Sequence, residues 1–213
     1  MGRLSLWDIA HRKRISGQAI SETNTSSATV SLDCSQNARH ISGASCKAYR
    51  GGGIRSALEL GPNIGLNLIA LQRLVPGLKA TGIEINEKAA AECERIPNVN
   101  VVRGAFLDYE SEDTFDLTFT FGTLILQDQD TMPALFDILY RHSNRYIMMS
   151  EYYSPRLVSV PYHGFADRLF KRDFAGEFLD RFPDVQLVDY GFFYHRDSIF
   201  PADDFNWFLM EKR

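Results

Sequence analysis

From residue 54 onward, apolar and polar positions alternate between two rhythms. Short apolar runs with strand character cover Ile54–Leu60, Leu78–Glu84, Val99–Arg103, Phe115–Phe121 and Arg145–Ser150. Between them come stretches with apolar residues three and four apart, as one face of a helix requires. Gly65–Val75 carries Leu66, Ile69, Ala70 and Leu74 on such a face and stops at Pro76-Gly77. Glu87–Arg95 follows Asn86, a good N-cap, and ends before Pro97. Met132–His142 has Pro133 in its first turn. Phe165–Arg181 reads as helical, in two pieces around Gly176, and Val185–Tyr194 and Phe205–Glu211 read as the last strands. Strands that alternate with helices predict a parallel sheet covered on both faces. The last two strands are joined through His195–Asp204 with no helical pattern, which predicts an antiparallel hairpin at a sheet edge.

Residues 1–53 break this rhythm. They hold nine serines but only Trp7 and Tyr49 among the aromatics, so little is present to offset the entropy of ordering. The expectation is an irregular segment with a short helix near Ser5–Lys13, ahead of one domain over 54–213. The segment carries seven Lys/Arg against three Asp/Glu, yet the whole chain is −4, which gives no electrostatic case for nucleic acid. Cys34, Cys46 and Cys93 form no C-x-x-C pair and read as free thiols of a reducing compartment, not as a metal site. The most apolar helical stretch, Leu66–Val75, is cut by Asn67, Gln72 and Arg73, so no membrane span is expected. With no apolar signal stretch behind Arg3, cytoplasmic location is the default expectation.

Candidate chemistry gathers at the predicted carboxyl ends of the strands, where open α/β sheets take ligands. Strand 1 runs into Glu59-Leu60-Gly61-Pro62-Asn63-Ile64-Gly65, a glycine turn that opens a helix and exposes its N–H groups. Glu84 closes strand 2, 19 residues past Gly65, where a carboxylate can accept both hydroxyls of a ribose; Ile85 follows it. Gly104, Ala105 and Phe106 follow strand 3 and can frame an adenine, while Phe121 and Gly122 end strand 4 near a ligand's reactive end. A dinucleotide fingerprint has glycine where this loop has Asn63. A side chain there crowds a pyrophosphate but suits a ligand without one, which favours S-adenosyl-L-methionine over NAD.

These segments resemble class I S-adenosylmethionine-dependent methyltransferases: the glycine loop resembles motif I, Gly82-Ile83-Glu84 the acidic motif after it, Gly104–Asp108 the adenine segment, and Phe115-Asp116-Leu117 with Gly122-Thr123-Leu124-Ile125 motif IV. More narrowly, Leu58–Leu68, Tyr152-Tyr153-Ser154-Pro155 and Phe170–Glu177 are similar to the methylases associated with pseudaminic acid biosynthesis. The resemblance implies a Rossmann-like α/β fold with a mostly parallel seven-stranded sheet and an antiparallel edge hairpin. It also implies methyl transfer to a small polar acceptor, a nonulosonic sugar, its precursor or a nucleotide sugar. Two departures stand out. Residues 1–53 do not match the tryptophan-bearing helix that opens the family, and Leu126 and Gln127 stand where many relatives carry a histidine.

Methyl transfer needs alignment and exclusion of water, and a base only when the acceptor holds a proton. Glu151 and His163 are the candidate catalytic groups; Gln127, Tyr152, Tyr153, Arg168 and Arg172 are candidate acceptor contacts, with Arg168, Lys171 and Arg172 expected to share one basic helix face. A nucleotide-cofactor oxidoreductase and a methyltransferase-like module without turnover are the alternatives.

Overall fold

A computed structural model describes residues 53–162, 165–198 and 203–213. The expected short helix near Ser5–Lys13, Cys34, Cys46 and His163 lie outside these residues. Nine strands and four helices follow in the order β1 (Ser56–Leu60), α1 (Leu66–Leu74), β2 (Lys79–Glu84), α2 (Glu87–Cys93), β3 (Val99–Arg103), β4 (Phe115–Phe121), α3 (Met132–Arg141), β5 (Ser143–Glu151), β6 (Val158–Tyr162), β7 (Phe165–Lys171), α4 (Phe174–Arg181), β8 (Val185–Phe193) and β9 (Phe205–Lys212). Seven strands form one sheet in the order β3-β2-β1-β4-β5-β9-β8. β1 to β5 are parallel, and β9 runs antiparallel to both β5 and β8. The expected edge hairpin is therefore present, and the strand order reverses between β1 and β4.

Apolar residues on the two sheet faces build two cores. Leu58, Leu60, Ile83, Ile147 and Met149 pack with Leu135, Leu139 and Phe178 from α3 and α4. Ala57, Leu117, Phe119, Met148 and Leu209 pack with Leu68 and Leu71 from α1. The face that α1 buries is Asn67, Leu68, Ala70 and Leu71; of the expected stripe of Leu66, Ile69, Ala70 and Leu74, Ala70 is fully buried, Leu74 packs half-buried against the same core, and Leu66 and Ile69 are only partly buried. The reason is polar: Asn67 points inward and donates from Nδ2 to Glu59 Oε1 at 2.7 Å. At the other end of the sheet, Asp116 Oδ2 accepts the backbone N–H groups of Arg55 (2.7 Å) and Ser56 (3.0 Å), which starts β1 two residues later than its apolar run suggests.

The segment read as a helix from Phe165 is divided. Phe165–Lys171 is strand β7, paired antiparallel with β6 in a separate two-stranded sheet, and only Phe174–Arg181 is helical. A helical spacing of Phe165, Leu169 and Phe170 also fits a strand when a partner such as Val158–Tyr162 supplies the ladder. α4 runs unbroken through Gly176, whose N–H bonds to the capping Asp173 Oδ1 at 2.8 Å.

Candidate functional site

The five parallel strands end at one sheet edge, and their following loops converge there. The loop after β1 folds back on itself because three of its residues take positive φ: Gly61 (75°), Asn63 (55°) and Gly65 (83°). Two of these positions have no room for a side chain. A Cβ on Gly61 would stand 2.8 Å from Thr123 Oγ1, and one on Gly65 would stand 2.3 Å from Ile96 Cδ1. Pro62 fills the space over Gly82 of β2, so the loop is seated on the neighbouring strand. Gly65→Ala therefore meets left-handed strain and overpacking together, and is expected to cost about 2–3 kcal/mol in a denaturant melt. A variant as stable as the parent would show that the loop has slack.

Glu84, 2 % exposed, organises the next layer. Its Oε2 accepts the Asn63 N–H at 2.9 Å and its Oε1 accepts the Asn86 N–H at 2.8 Å. One carboxylate thus ties the glycine loop to the start of α2, where Asn86 Oδ1 caps Lys88 and Ala89 as expected. A carboxylate offers about four lone-pair sites, so two remain for a diol. Beside it opens a recess of about 160 Å³ lined by Ile85, Ala105, Phe106, Leu107, Gln127, Thr131 and Leu135. Ile85 and Leu107 of its lining are 59 % and 50 % exposed. Phe106, also in the lining, is buried. Leu107, Thr131 and Leu135 are not among the sequence candidates; Leu107 lies within the adenine-like segment, while Thr131 just before α3 and Leu135 within it give no local signal. A larger hollow of about 320 Å³, lined by Glu110–Thr114, Arg141 and His142, lies where β4 begins, at the far end of the sheet from every glycine loop. The smaller recess, flanked by the glycine loop's partner Glu84, is the candidate site.

Glu59 lies under the glycine loop, fully buried. Among the described residues, its Oε2 and the Oδ1 of Asn67 have no hydrogen-bond partner. Burial, opposed by the Asn67 hydrogen bond and reinforced by the charge of Glu84, pushes the Glu59 carboxyl up to about 8. Cys93 packs beside Gly65, and burial followed by nearby carboxylates pushes its thiol up to about 12, so it is no nucleophile.

Glu151 ends β5 but turns inward. Its Oε1 accepts the N–H groups of Thr123 and Leu124, both at 3.1 Å, and its Oε2 that of Ile125 at 3.4 Å. Burial pushes this carboxyl up to about 7, against those bonds. It holds the turn after β4, while the Thr123 hydroxyl donates to Leu60 O at 3.0 Å and joins that turn to the end of β1. Phe121 and Gly122 (φ 62°) lead into the turn, and Gly104 (φ 150°) leads from β3 to Ala105. Gln127 donates to Thr123 O at 3.0 Å.

The acceptor-side candidates separate. Arg168 and Lys171 lie on β7, not on a helix, so the expected basic helix face does not form; the Arg168 side chain is outside the described set. Arg172 is committed to Glu177, bonded through Nε at 2.7 Å and through Nη2, and to Gln129. It clamps the β7 end to α4 and to the turn before α3. Tyr152 donates to Asp203 Oδ2 at 2.8 Å with Lys171 Nζ 4.8 Å over its ring, and Tyr153 is exposed beside Phe208.

No family model matches the chain, and no curated protein matches it in sequence. Solved structures do match in fold. The glycopeptide N-methyltransferase MtfA superposes with a TM-score of 0.64 at 16 % identity, over 88 % of this chain and 99 % of its own. Magnesium protoporphyrin IX methyltransferase ChlM from Synechocystis PCC 6803, with SAM bound, gives 0.63 at 14 % identity over 96 % and 95 %. The N-methyltransferase NodS from Bradyrhizobium japonicum WM9 gives 0.60 at 13 % identity over 84 % and 94 %. The architecture is the Rossmann-like methyltransferase fold.

Proposed function

We propose that this chain transfers a methyl group from S-adenosyl-L-methionine to a small polar acceptor. The observation that carries the reading is Glu84, buried between the glycine loop and α2 and next in the chain to Ile85 of the recess lining, with two lone-pair sites to spare. A ribose diol fits that carboxylate, and an adenine fits the recess between Ile85 and Leu107 over Phe106. The orphaned Oε2 of Glu59 fits an ammonium group brought close to the loop. Asn63 has a positive φ and gives its N–H to Glu84, so that amide is not offered to a pyrophosphate. Similar folds carry that cofactor: ChlM has been crystallised with SAM.

S-adenosylmethionine supplies a methyl carbon already activated on a sulfonium. This chain's part is to fix the nucleoside through Glu84, Ile85 and Phe106, hold the turn after β4 through Glu151, and exclude water. The acceptor class follows from the resemblance of Leu58–Leu68, Tyr152–Pro155 and Phe170–Glu177: a nonulosonic, pseudaminic-type sugar or its precursor.

Isothermal titration tests the cofactor. S-adenosylmethionine and S-adenosylhomocysteine are expected to bind and NAD not to. Glu84→Ala is expected to weaken the binding at least tenfold, since it removes hydrogen bonds to a charged group, worth about 1.5–3 kcal/mol each. A preference for NAD, or indifference to Glu84→Ala, would end this reading. Mass-spectrometric assay against nonulosonic sugars and their nucleotide-linked forms then tests the acceptor.

A further inference from the structure

The β8–β9 connection returns to the same sheet edge as the recess. The ladder sets Glu151 beside Asn206, Asn206 beside Phe192 and Phe205 beside Phe193, so His195 and Asp204, just past the ends of β8 and β9, stand at the level where β5 ends. There the backbone N–H of His195 donates to Asp204 Oδ1 at 3.0 Å, and His195 Nδ1 lies 2.9 Å from both carboxylate oxygens. A carboxylate accepts only, so Nδ1 carries a proton, and in the neutral imidazole the lone pair is on Nε2. Among the described residues Nε2 has no hydrogen-bond partner. The pair is coupled to the turn at the end of β4 by rings: Phe205, next to Asp204, stacks on Phe121 at 5.1 Å, and Tyr152 meets Phe205 edge-on at 4.7 Å. Both members are about half exposed, so the imidazole can exchange its proton with water.

The geometry points to His195, oriented by Asp204, as the general base for a methyl acceptor that reacts through a hydroxyl or an ammonium group. This rests on the methyl-transfer reading above. An acceptor hydroxyl uses an oxygen lone pair for the new bond to the methyl carbon as its proton leaves, whereas an acceptor ammonium gives up its proton first, which frees the nitrogen lone pair for that bond. The carbon–sulfur bond breaks and its electron pair stays on sulfur as a neutral thioether. The acceptor's proton passes to Nε2, the imidazolium is held by Asp204, and water then takes the proton. The groups that set the charge around His195 are Asp204 and Asp203 ahead of β9, Lys171 on β7, Tyr152 after β5, and Arg196 and Asp197 beside it in the chain. Asp204 is held below the usual carboxylate range by the His195 backbone and side-chain hydrogen bonds, and Lys171 adds to this, so the acceptor for Nδ1–H stays ionised. Tyr194 packs edge-on against the imidazole at 4.9 Å and limits its rotation.

The test is the NMR titration of the His195 ring protons, assigned by their loss in His195→Gln, with S-adenosylmethionine and S-adenosylhomocysteine in turn. The two ligands differ by a methyl group and one positive charge. A base within reach of that methyl is expected to titrate about half a pH unit or more lower with S-adenosylmethionine than with S-adenosylhomocysteine. If both ligands bind and the two titrations coincide, His195 is a surface ion pair only and the inference is overturned. If neither ligand binds, the methyl-transfer reading fails and the inference falls with it. Binding of S-adenosylhomocysteine by His195→Gln at parental affinity separates loss of the base from loss of the cofactor site.

Discussion

In Glu59→Gln, the unfolding free energy of the ligand-free protein at pH 8 is expected to rise by about 4 kcal/mol while affinity for S-adenosylmethionine falls ten- to a hundredfold. The stability arm follows from proton linkage. The folded carboxyl titrates near 8 and its ordinary value is 4.5. Between those values the unfolded chain is ionised and the folded one keeps its proton, so stability falls by about 1.4 kcal/mol per pH unit as pH rises. Glutamine does not titrate, and its amide also gives a donor to a buried pair in which Asn67 Oδ1 is unpartnered. Denaturant melts at pH 5 and pH 9 read this directly: the parent loses stability more steeply across the interval than the variant, which keeps only the dependence due to Glu151. Equal slopes would refute a shifted Glu59. The affinity arm follows because an ammonium that meets Glu59 gains a charge-assisted bond, which an amide replaces poorly. Titration calorimetry checks it.

Glu151→Ala is expected to destabilise the protein by about 4 kcal/mol at pH 5. Three buried N–H groups, those of Thr123, Leu124 and Ile125, lose their acceptor, at about 1–3 kcal/mol each. Water that enters the space offsets part of this. The cost is smaller at higher pH, because the parent carries a penalty of its own. Its folded carboxyl titrates near 7 against an ordinary 4.5, so the parent's stability falls through that window. The difference between parent and variant should shrink by about 2–3 kcal/mol from pH 5 to pH 8. Glu151→Gln keeps one carbonyl oxygen for the turn and should lie between the two. A cost that grows with pH would mean that Glu151 is ionised in the folded state at pH 5 and that its hydrogen bonds dominate its burial.

Most of the sheet was legible in the sequence because its strands are apolar runs bounded by glycine and proline, and Val99–Arg103 and Phe115–Phe121 match the observed strands residue for residue. The β6–β7 hairpin was not legible. Its strands exist because they pair with each other, and Phe165–Lys171 has the spacing of either structure until its partner is known. The site shows the same division. The glycine loop, Glu84 and Phe106 announce themselves by local pattern. What their side chains bind does not: Glu84 reaches back 21 residues to Asn63, and Glu151 reaches 28 residues to Thr123. Glu151 was expected to face the acceptor and instead holds the backbone of the turn beside it. Arg172 was expected to offer a free cation and is paired with Glu177. Asp204 and His195 are nine residues apart across a loop with no periodicity to join them.

The strand order has a consequence for biosynthesis. β9 fills the gap between β5 and β8, so β8 has no sheet partner until β9 has emerged from the ribosome. During that interval Tyr190, Phe192 and their neighbours are an apolar ribbon with an unsatisfied backbone on both sides, the kind of segment that recruits strangers. The same residues remain largely exposed in the finished fold, where Tyr190 and Phe192 are 67 % and 55 % accessible. Delay between the two strands thus sets how long each nascent chain is open to its neighbours on a polysome, and the Gly191 position, where a Cβ would strike the Trp207 ring at 2.5 Å, is where β9 must seat to close it.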